Sequence, residues 1–163
     1  MRPGGKKVDP SKACDARAVR NSAVALLARR DFASVALCRR LESSGYDPVV
    51  VGATVAALAR ERLVDDARFG ENYVAYHASR GQGPVRIGAD LKAVGLSCEL
   101  IDAALAAASD WRARAQAVRS RKFGPELPQT WPEKSRQARF LQYRGFSADH
   151  IRAALGADIN LDD

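Results

Sequence analysis

Residues 41–55, LESSGYDPVVVGATV, decide the fold, because the chain repeats their pattern twice at a constant shift of 50 residues. The two further copies are residues 91–105, LKAVGLSCELIDAAL, and residues 141–155, LQYRGFSADHIRAAL. Each copy has leucine, glycine four residues later, an apolar residue, and then Asp or Ser, before an apolar pair spaced four residues apart. Several positions that agree in order at one shift indicate an internal repeat.

Each copy of this pattern predicts a helix end, a tight turn and a new helix start. Glycine takes the left-handed position that ends a helix, which brings the leucine four residues before it against the apolar residue that follows. The next Asp or Ser accepts backbone N–H groups as an N-cap, and the apolar pair then begins a buried helical stripe. The period therefore predicts an all-α fold of three tandem three-helix repeats in an elongated array.

Helix start and stop signals divide the rest of the chain around these turns. We expect a disordered basic N-terminal arm at residues 1–12 and a frayed C-terminal tail at residues 157–163. Between them we expect three-helix repeats at residues 13–64, 65–109 and 110–156. In the second repeat the spacing of Phe69, Tyr73 and Tyr76 predicts the buried face of its first helix. In the third, Thr130 and Glu133 have the spacing of a capping box.

The composition indicates an anionic partner. The formal net charge is +7 and the pI is about 9.7, which makes nucleic acid the first candidate. The charge is uneven, because residues 65–110 carry four basic and seven acidic groups whereas residues 111–144 carry nine basic and two acidic groups. No apolar run approaches the roughly 18 residues that span a bilayer, and no signal-peptide core follows the N-terminus. We therefore expect a cytoplasmic protein, a monomer, with no membrane partner.

The residues that could carry enzyme chemistry fit structural roles better. The loop Gly81-Gln82-Gly83 is similar to a phosphate-binding loop, but Arg86 replaces its third glycine and Pro84 suits a helix start. Asp65 and Asp66 could serve a metal-dependent nuclease, yet adjacent residues at a helix start point in different directions and suit capping.

The remaining reactive side chains also lack the spacing of an enzyme or metal site. The three cysteines and two histidines do not have the spacing of metal ligands or of a disulfide framework. Trp111 and the tyrosines could stack on bases, but their helical spacing fits core positions better. We expect no enzyme activity and no cofactor.

The arginines and lysines remain as candidate partner-binding residues. Arginines outnumber lysines twenty to six, and the guanidinium group pairs with carboxylate or phosphate equally well. The spacing of Arg112, Arg119 and Lys122 predicts a basic, outward-facing side of the seventh helix. The full set of candidates is Arg112, Arg119, Arg121, Lys122, Lys134, Arg136, Arg139, Arg144, Arg29, Arg30, Arg39, Arg68 and Arg86.

An ordered set of short motifs from about Ala23 to Leu155 closely resembles the RecX family. The motifs are Val64-Asp65-Asp66-x-Arg68-Phe69, Tyr73-Val74, Gly81-x-Gly83-Pro84-x-Arg86-Ile87, Lys122-Phe123-Gly124 and Arg139-Phe140-Leu141-x-x-Arg144-Gly145-Phe146-Ser147. The resemblance implies a bacterial regulator of the RecA recombinase, built from tandem three-helix repeats. It also implies binding along the groove of the RecA–DNA filament, which restrains filament growth, ATP hydrolysis and strand exchange. DNA would then be bound weakly or through the filament.

A helix-turn-helix protein that binds DNA is the alternative, because a helix, a glycine turn and a second helix recur three times. In DNA-reading proteins of that type, a small residue usually stands four positions before the turn glycine, so that the helices can cross closely. Here that position holds Leu41, Leu91 and Leu141. A repeat core therefore explains the pattern better.

Overall fold

The computed structural model describes residues 8–108 and 110–156, which form nine α-helices, one 3-10 turn and no strand. The helices are α1 Ala16–Leu27, α2 Ser34–Glu42, α3 Pro48–Arg60, α4 Asp66–Ser79, α5 Pro84–Val94, α6 Cys98–Ala107, α7 Trp111–Phe123, α8 Trp131–Arg144 and α9 Ala148–Leu155, and the 3-10 turn is Pro10–Lys12. The predicted all-α class is confirmed. Within the described ranges, no helix is long and apolar enough to cross a membrane.

The helices belong to two compact units, each with its own core. Of the described residues, the first unit comprises 8–69 together with Val94–Leu96, and the second comprises Gly70–Ala93 together with 97–108 and 110–156. Helices α1, α2 and α3 pack together in the first unit, and α7, α8 and α9 pack together in the second. The predicted stripes supply both cores, which contain Val19, Leu37, Leu41, Val51 and Leu58 in the first unit and Ala115, Leu141, Phe146, Ile151 and Leu155 in the second.

The three turn glycines have the backbone conformation that the repeat predicts. Their φ angles are 105° at Gly45, 97° at Gly95 and 90° at Gly145. After Gly145, the N–H of Phe146 donates to the Leu141 carbonyl at 3.1 Å, which is the bond that closes a glycine-ended helix. The predicted N-caps are also present, since Asp47, Ser97 and Ser147 accept N–H bonds from the helix starts that follow them.

Each of the later turns lies against the first turn of an earlier helix. In the second unit, the N–H groups of Gly83 and Val85 donate to the carbonyls of Arg144 and Gly145 at 2.8 and 3.0 Å. A Cβ atom on Gly83 would lie 2.3 Å from the Gly145 oxygen, and one on Gly145 would lie 2.3 Å from Arg86 Cβ. In the first unit, a Cβ on Gly95 would lie 2.6 Å from Cβ of Val35, the second residue of α2. Glycine is therefore needed at position 83 for close approach, and at positions 95 and 145 for both close approach and positive φ.

The segment Val8–Ala13 occupies the corresponding place at the first turn. The Val8 N–H donates to the Ser44 carbonyl at 2.9 Å, and the Asp47 N–H donates to the Ala13 carbonyl at 2.9 Å. Val8 also packs against the first core, and Asp9 caps the 3-10 turn. The predicted disordered arm is thus wrong for residues 8–12, because an apolar residue and a capping Asp order them. Residues 1–7 and the predicted frayed tail, 157–163, lie outside the described residues.

The buried face of α4 also differs from the prediction. Gly70, Val74 and Ala78 are buried, whereas Tyr76 is 56% exposed and Tyr73 is only partly buried. The buried side of α4 is therefore made of small residues and valine, and the aromatic rings lie beside it. The spacing of the aromatic residues therefore predicted the wrong buried face of α4.

Alanine substitutions can separate the strain at a positive φ from the close contact between turn and helix. Gly45 has a φ of 105°, and an added Cβ would make only an ordinary contact with Val8 Cβ at 3.8 Å, so Gly45→Ala should lower the free energy of unfolding by about 1 kcal/mol. Gly145→Ala should cost at least about twice as much, since it adds the clash with Arg86. Denaturant unfolding measures both. Equal losses would contradict the contact at the turn.

Candidate partner-binding surface

A groove with basic and aromatic walls lies between the end of α7 and one face of α8. It has a volume of about 610 Å³ and is lined by Lys122, Phe123, Arg136, Arg139, Phe140 and Tyr143. We call it the α7–α8 groove. Its four α8 residues fall at positions i, i+3, i+4 and i+7, which lie on one side of a helix. Phe123 is the last residue of α7, so it is placed beside that side of α8.

Cations lie over the aromatic rings of the groove. Lys122 Nζ is 4.7 Å from the centre of the Phe140 ring, and the Arg144 guanidinium is 5.4 Å from the same ring. The Arg136 guanidinium is 5.5 Å from the Phe123 ring. The two rings meet edge to face, with their centres 5.4 Å apart. These contacts hold three cations around the two rings, and Arg144 Nη1 also donates to the Arg80 carbonyl at 3.4 Å.

Helix α5 adds a fourth cation beside the groove. The Arg86 guanidinium lies 5.9 Å from the centre of the Tyr143 ring, and Tyr143 is 78% exposed. The bonds from Gly83 and Val85 to the α8 turn bring the start of α5 to this position. Five of the predicted partner-binding residues thus lie at or beside the groove: Lys122, Arg136 and Arg139 line it, and Arg144 and Arg86 lie next to its rings.

The remaining predicted residues do not line this groove. In the second unit these are Arg112, Arg119, Arg121 and Lys134, and in the first unit they are Arg29, Arg30, Arg39 and Arg68. Partial burial lowers the pKa of the His150 imidazole, and the nearby charge of Arg112 lowers it further. Arg29 lines a separate cavity of about 640 Å³ in the first unit, and Arg30 lies 4.4 Å from the centre of the Phe32 ring.

Arg119 is not a surface cation, so the prediction that it lies on an outward-facing side of α7 is wrong. Its side chain is only 3% exposed. Nη1 donates to the Glu126 carbonyl at 2.7 Å, and Nη2 donates to the Pro125 carbonyl at 2.9 Å and to Ser120 Oγ at 3.0 Å. The connection between α7 and α8 folds back onto this side of α7 and covers it. Arg119 therefore holds the connection that leads into α8.

The two adjacent carboxylates have the capping role that the sequence predicts, although they cap different helices. Asp65 Oδ1 accepts the Arg68 N–H at 3.0 Å at the start of α4, and this bond lowers the pKa of Asp65. Asp66 Oδ1 accepts the Ser34 N–H at 2.7 Å at the start of α2. In the part of the chain that the structure describes, no group of three or more His, Cys, Asp or Glu residues is arranged to hold a metal ion.

The aromatic residues of the groove are the functional candidates that sequence reasoning missed. Helical spacing assigned the tyrosines to the core, yet Tyr143 is largely exposed. The sequence did contain an indication in residues 139–144, RFLQYR, where an arginine next to an aromatic residue stands on each side of the buried Leu141. Aromatic residues next to arginines on the same helix face are typical of a binding surface.

Replacing Arg119 should therefore act on stability. Arg119→Met keeps the bulk but leaves the carbonyls of Pro125 and Glu126 without their donor, so it should lower the free energy of unfolding by about 2 kcal/mol or more. Arg112→Met, on an exposed residue of the same helix, should change it by less than about 0.5 kcal/mol. Denaturant unfolding followed by circular dichroism measures both. An Arg119→Met protein as stable as the parent would contradict the structural role.

Comparisons with known proteins agree with this architecture. The sequence model for the second three-helix domain of RecX matches residues 65–105, and the model for the third three-helix domain matches residues 110–155. The chain is 47% identical to the regulatory protein RecX of Halorhodospira halophila over 141 residues, which cover 86% of this chain and 88% of the relative. It is 39% identical to the regulatory protein RecX of Pseudomonas fluorescens over 145 residues, 88% of this chain and 94% of the relative.

Solved structures show the same fold. The crystal structure of RecX from Lactobacillus salivarius superimposes with a TM-score of 0.76 at 18% identity, covering 86% of this chain and 94% of that one. A crystal structure of a regulatory protein RecX gives a TM-score of 0.73 at 17% identity, covering 92% of this chain and 79% of that one. The identity to the curated relatives spans most of both sequences. The chain therefore belongs to the RecX family of regulatory proteins.

Proposed function

We propose that this protein regulates the RecA recombinase by binding RecA and RecA–DNA filaments. Bound there, it inhibits filament extension, ATP hydrolysis and strand exchange in recombination and DNA repair. Its action is non-enzymatic: it works by occupying the filament, as a cytoplasmic monomer, and DNA is bound weakly or through the filament. Membership of the RecX family, at 47% identity over 86% of the chain to one relative, is the observation that carries this proposal.

The α7–α8 groove is the surface that we assign to the filament. Lys122 and Arg139 stand on opposite walls of the groove, on α7 and α8. Cations held over rings lose little conformational freedom when they pair with an anion, which favours binding. The exposed arginines outside the groove would add weaker, screened contacts.

The helix-turn-helix alternative is less well supported. The helices that would read DNA follow the glycine turns and are α3, α6 and α9. Their starts carry Asp47, Glu99 and Asp149, and Asp47 is itself engaged in capping. Carboxylates at these positions would repel phosphates, whereas proteins that bind DNA neutralise phosphates with Lys and Arg.

The ATPase of RecA filaments on single-stranded DNA tests the proposal. Adding this protein should slow ATP hydrolysis, and Lys122→Glu with Arg139→Glu should remove most of the inhibition, because it reverses the charge of both walls. Arg17→Glu with Lys92→Glu is the matched control, since both residues are exposed and lie outside the groove. It should inhibit like the parent.

The amount of protein needed distinguishes two modes of inhibition. Inhibition at far less than one molecule per RecA would indicate binding at filament ends, and inhibition only near saturation would indicate binding along the filament groove. An ATPase unchanged at every ratio would contradict the proposed function. If both double variants lose inhibition equally while remaining folded by circular dichroism, the assignment of the groove is wrong.

A further inference from the structure

We propose that the α7–α8 groove binds an acidic protein segment that inserts an apolar side chain between the aromatic residues, and that it does not bind the sugar-phosphate backbone of nucleic acid. The inference rests on the proposed function only in taking this groove as the partner site. It concerns the chemical class of the ligand. The positive charge of the groove does not identify that class, because guanidinium groups pair with carboxylate and phosphate alike.

The lining of the groove favours a protein ligand. Most of the lining surface is apolar, and it is formed by Phe123, Phe140 and Tyr143 together with the aliphatic parts of the basic side chains. Burying apolar surface stabilises a complex by about 25 cal/mol per Å². An aliphatic side chain has apolar surface to bury in the groove, whereas a phosphate group has none. Tyr143 is 78% exposed, so its ring is available for contact with such a side chain.

The rings are poorly placed to stack on bases. Proteins that bind single strands offer free aromatic faces to successive bases. Here Lys122 and Arg144 both lie over Phe140, Arg136 lies over Phe123, and the two rings meet edge to face. A base would have to displace these cations. A carboxylate at the mouth of the groove can pair with them where they stand.

Within the described residues, no ion pair joins a cation of the groove to a carboxylate, and the pairs of Arg20 with Glu61 and of Arg152 with Asp149 lie elsewhere. Hydrogen bonds from Thr130 and Gln129 lower the pKa of Glu133, and Arg136 lies near enough for its charge to contribute to that lowering. Residues 111–144 carry nine basic and two acidic groups. A ligand that combines carboxylates with an apolar side chain would therefore match both the charge and the apolar lining.

Three labelled probes test the proposal in fluorescence anisotropy with the full chain. The first is a peptide of Glu, Ala and Leu, the second is the same peptide with every Leu replaced by Ser, and the third is oligothymidylate. The Leu peptide should bind about tenfold more tightly than the Ser peptide, the equivalent of one well-buried apolar side chain. It should also bind more tightly than oligothymidylate at the same salt concentration.

Two groove variants separate the apolar and charged contributions. Tyr143→Ser should remove most of the preference for Leu over Ser, because its ring is the exposed part of the lining. Lys122→Gln with Arg139→Gln should weaken both peptides alike, and Arg17→Gln with Lys92→Gln should weaken neither as much. Tyr143 is too exposed for its replacement to threaten the fold, and circular dichroism checks this.

Equal binding of the two peptides would overturn the proposal, as would tighter binding of oligothymidylate that Lys122→Gln with Arg139→Gln abolishes. The second outcome would make the groove a nucleic-acid surface. Failure to bind any probe would also overturn it. The RecA ATPase assay tests the proposed function separately. If the protein prefers the Leu peptide but leaves RecA filaments unaffected, the proposed function is wrong and the inference about the groove stands.

Discussion

The contact between a glycine turn and the first turn of an earlier helix is the constraint on which the rest of the structure depends. A helix start exposes N–H groups and a helix end exposes carbonyl groups, and neither has a partner inside its own helix. At Gly83 and Gly145 the protein pairs the two ends directly, through bonds of 2.8 and 3.0 Å. The backbones come so close that a Cβ atom on either glycine would overlap the other segment.

This constraint also positions the α7–α8 groove. Arg144 and Gly145 end α8 against the start of α5, which places Tyr143 beside Arg86. Before α8, Arg119 holds the connection from α7 through the carbonyls of Pro125 and Glu126. The helix that forms one wall of the groove is thus fixed at both ends. A binding surface on a rigidly held helix keeps its charges arranged before a partner arrives, which lowers the entropy lost on binding.

At the first turn, the segment Val8–Ala13 makes the contact that a helix start makes at the later turns. The Val8 N–H donates to the Ser44 carbonyl as the Gly83 N–H donates to that of Arg144. Ser44 and Arg144 are equivalent positions in the 50-residue period. A repeat face left open exposes apolar surface and unpaired backbone groups, and this segment covers that face.

The sequence predicted the helices, the turns and most of the caps, because these follow from local rules: glycine at positive φ, Asp or Ser at an N-cap, and apolar residues at helical spacing. It did not predict which polar side chains become buried. Arg119 had the spacing of an exposed face, and only the path of the connection after α7 shows that this face is covered. The opposite error was made at Tyr143, since aromatic character suggests burial and nothing local shows that this side of α8 is open. The ordered segment at Val8 was missed because its partner, the turn at Gly45, is distant in the sequence.

Amide hydrogen exchange in the native protein tests the central claim, that the turn contacts hold the repeats together. The amides of Gly83 and Val85 have no partner within their own helix, so their protection can come only from the carbonyls of Arg144 and Gly145. The account predicts that both exchange at least about a hundredfold more slowly than in an unstructured chain, and that the Val8 amide is protected as well. If these amides exchange at unstructured rates while the amides of the helices around Leu141 stay protected, the turn contact does not hold the fold, and the account is contradicted.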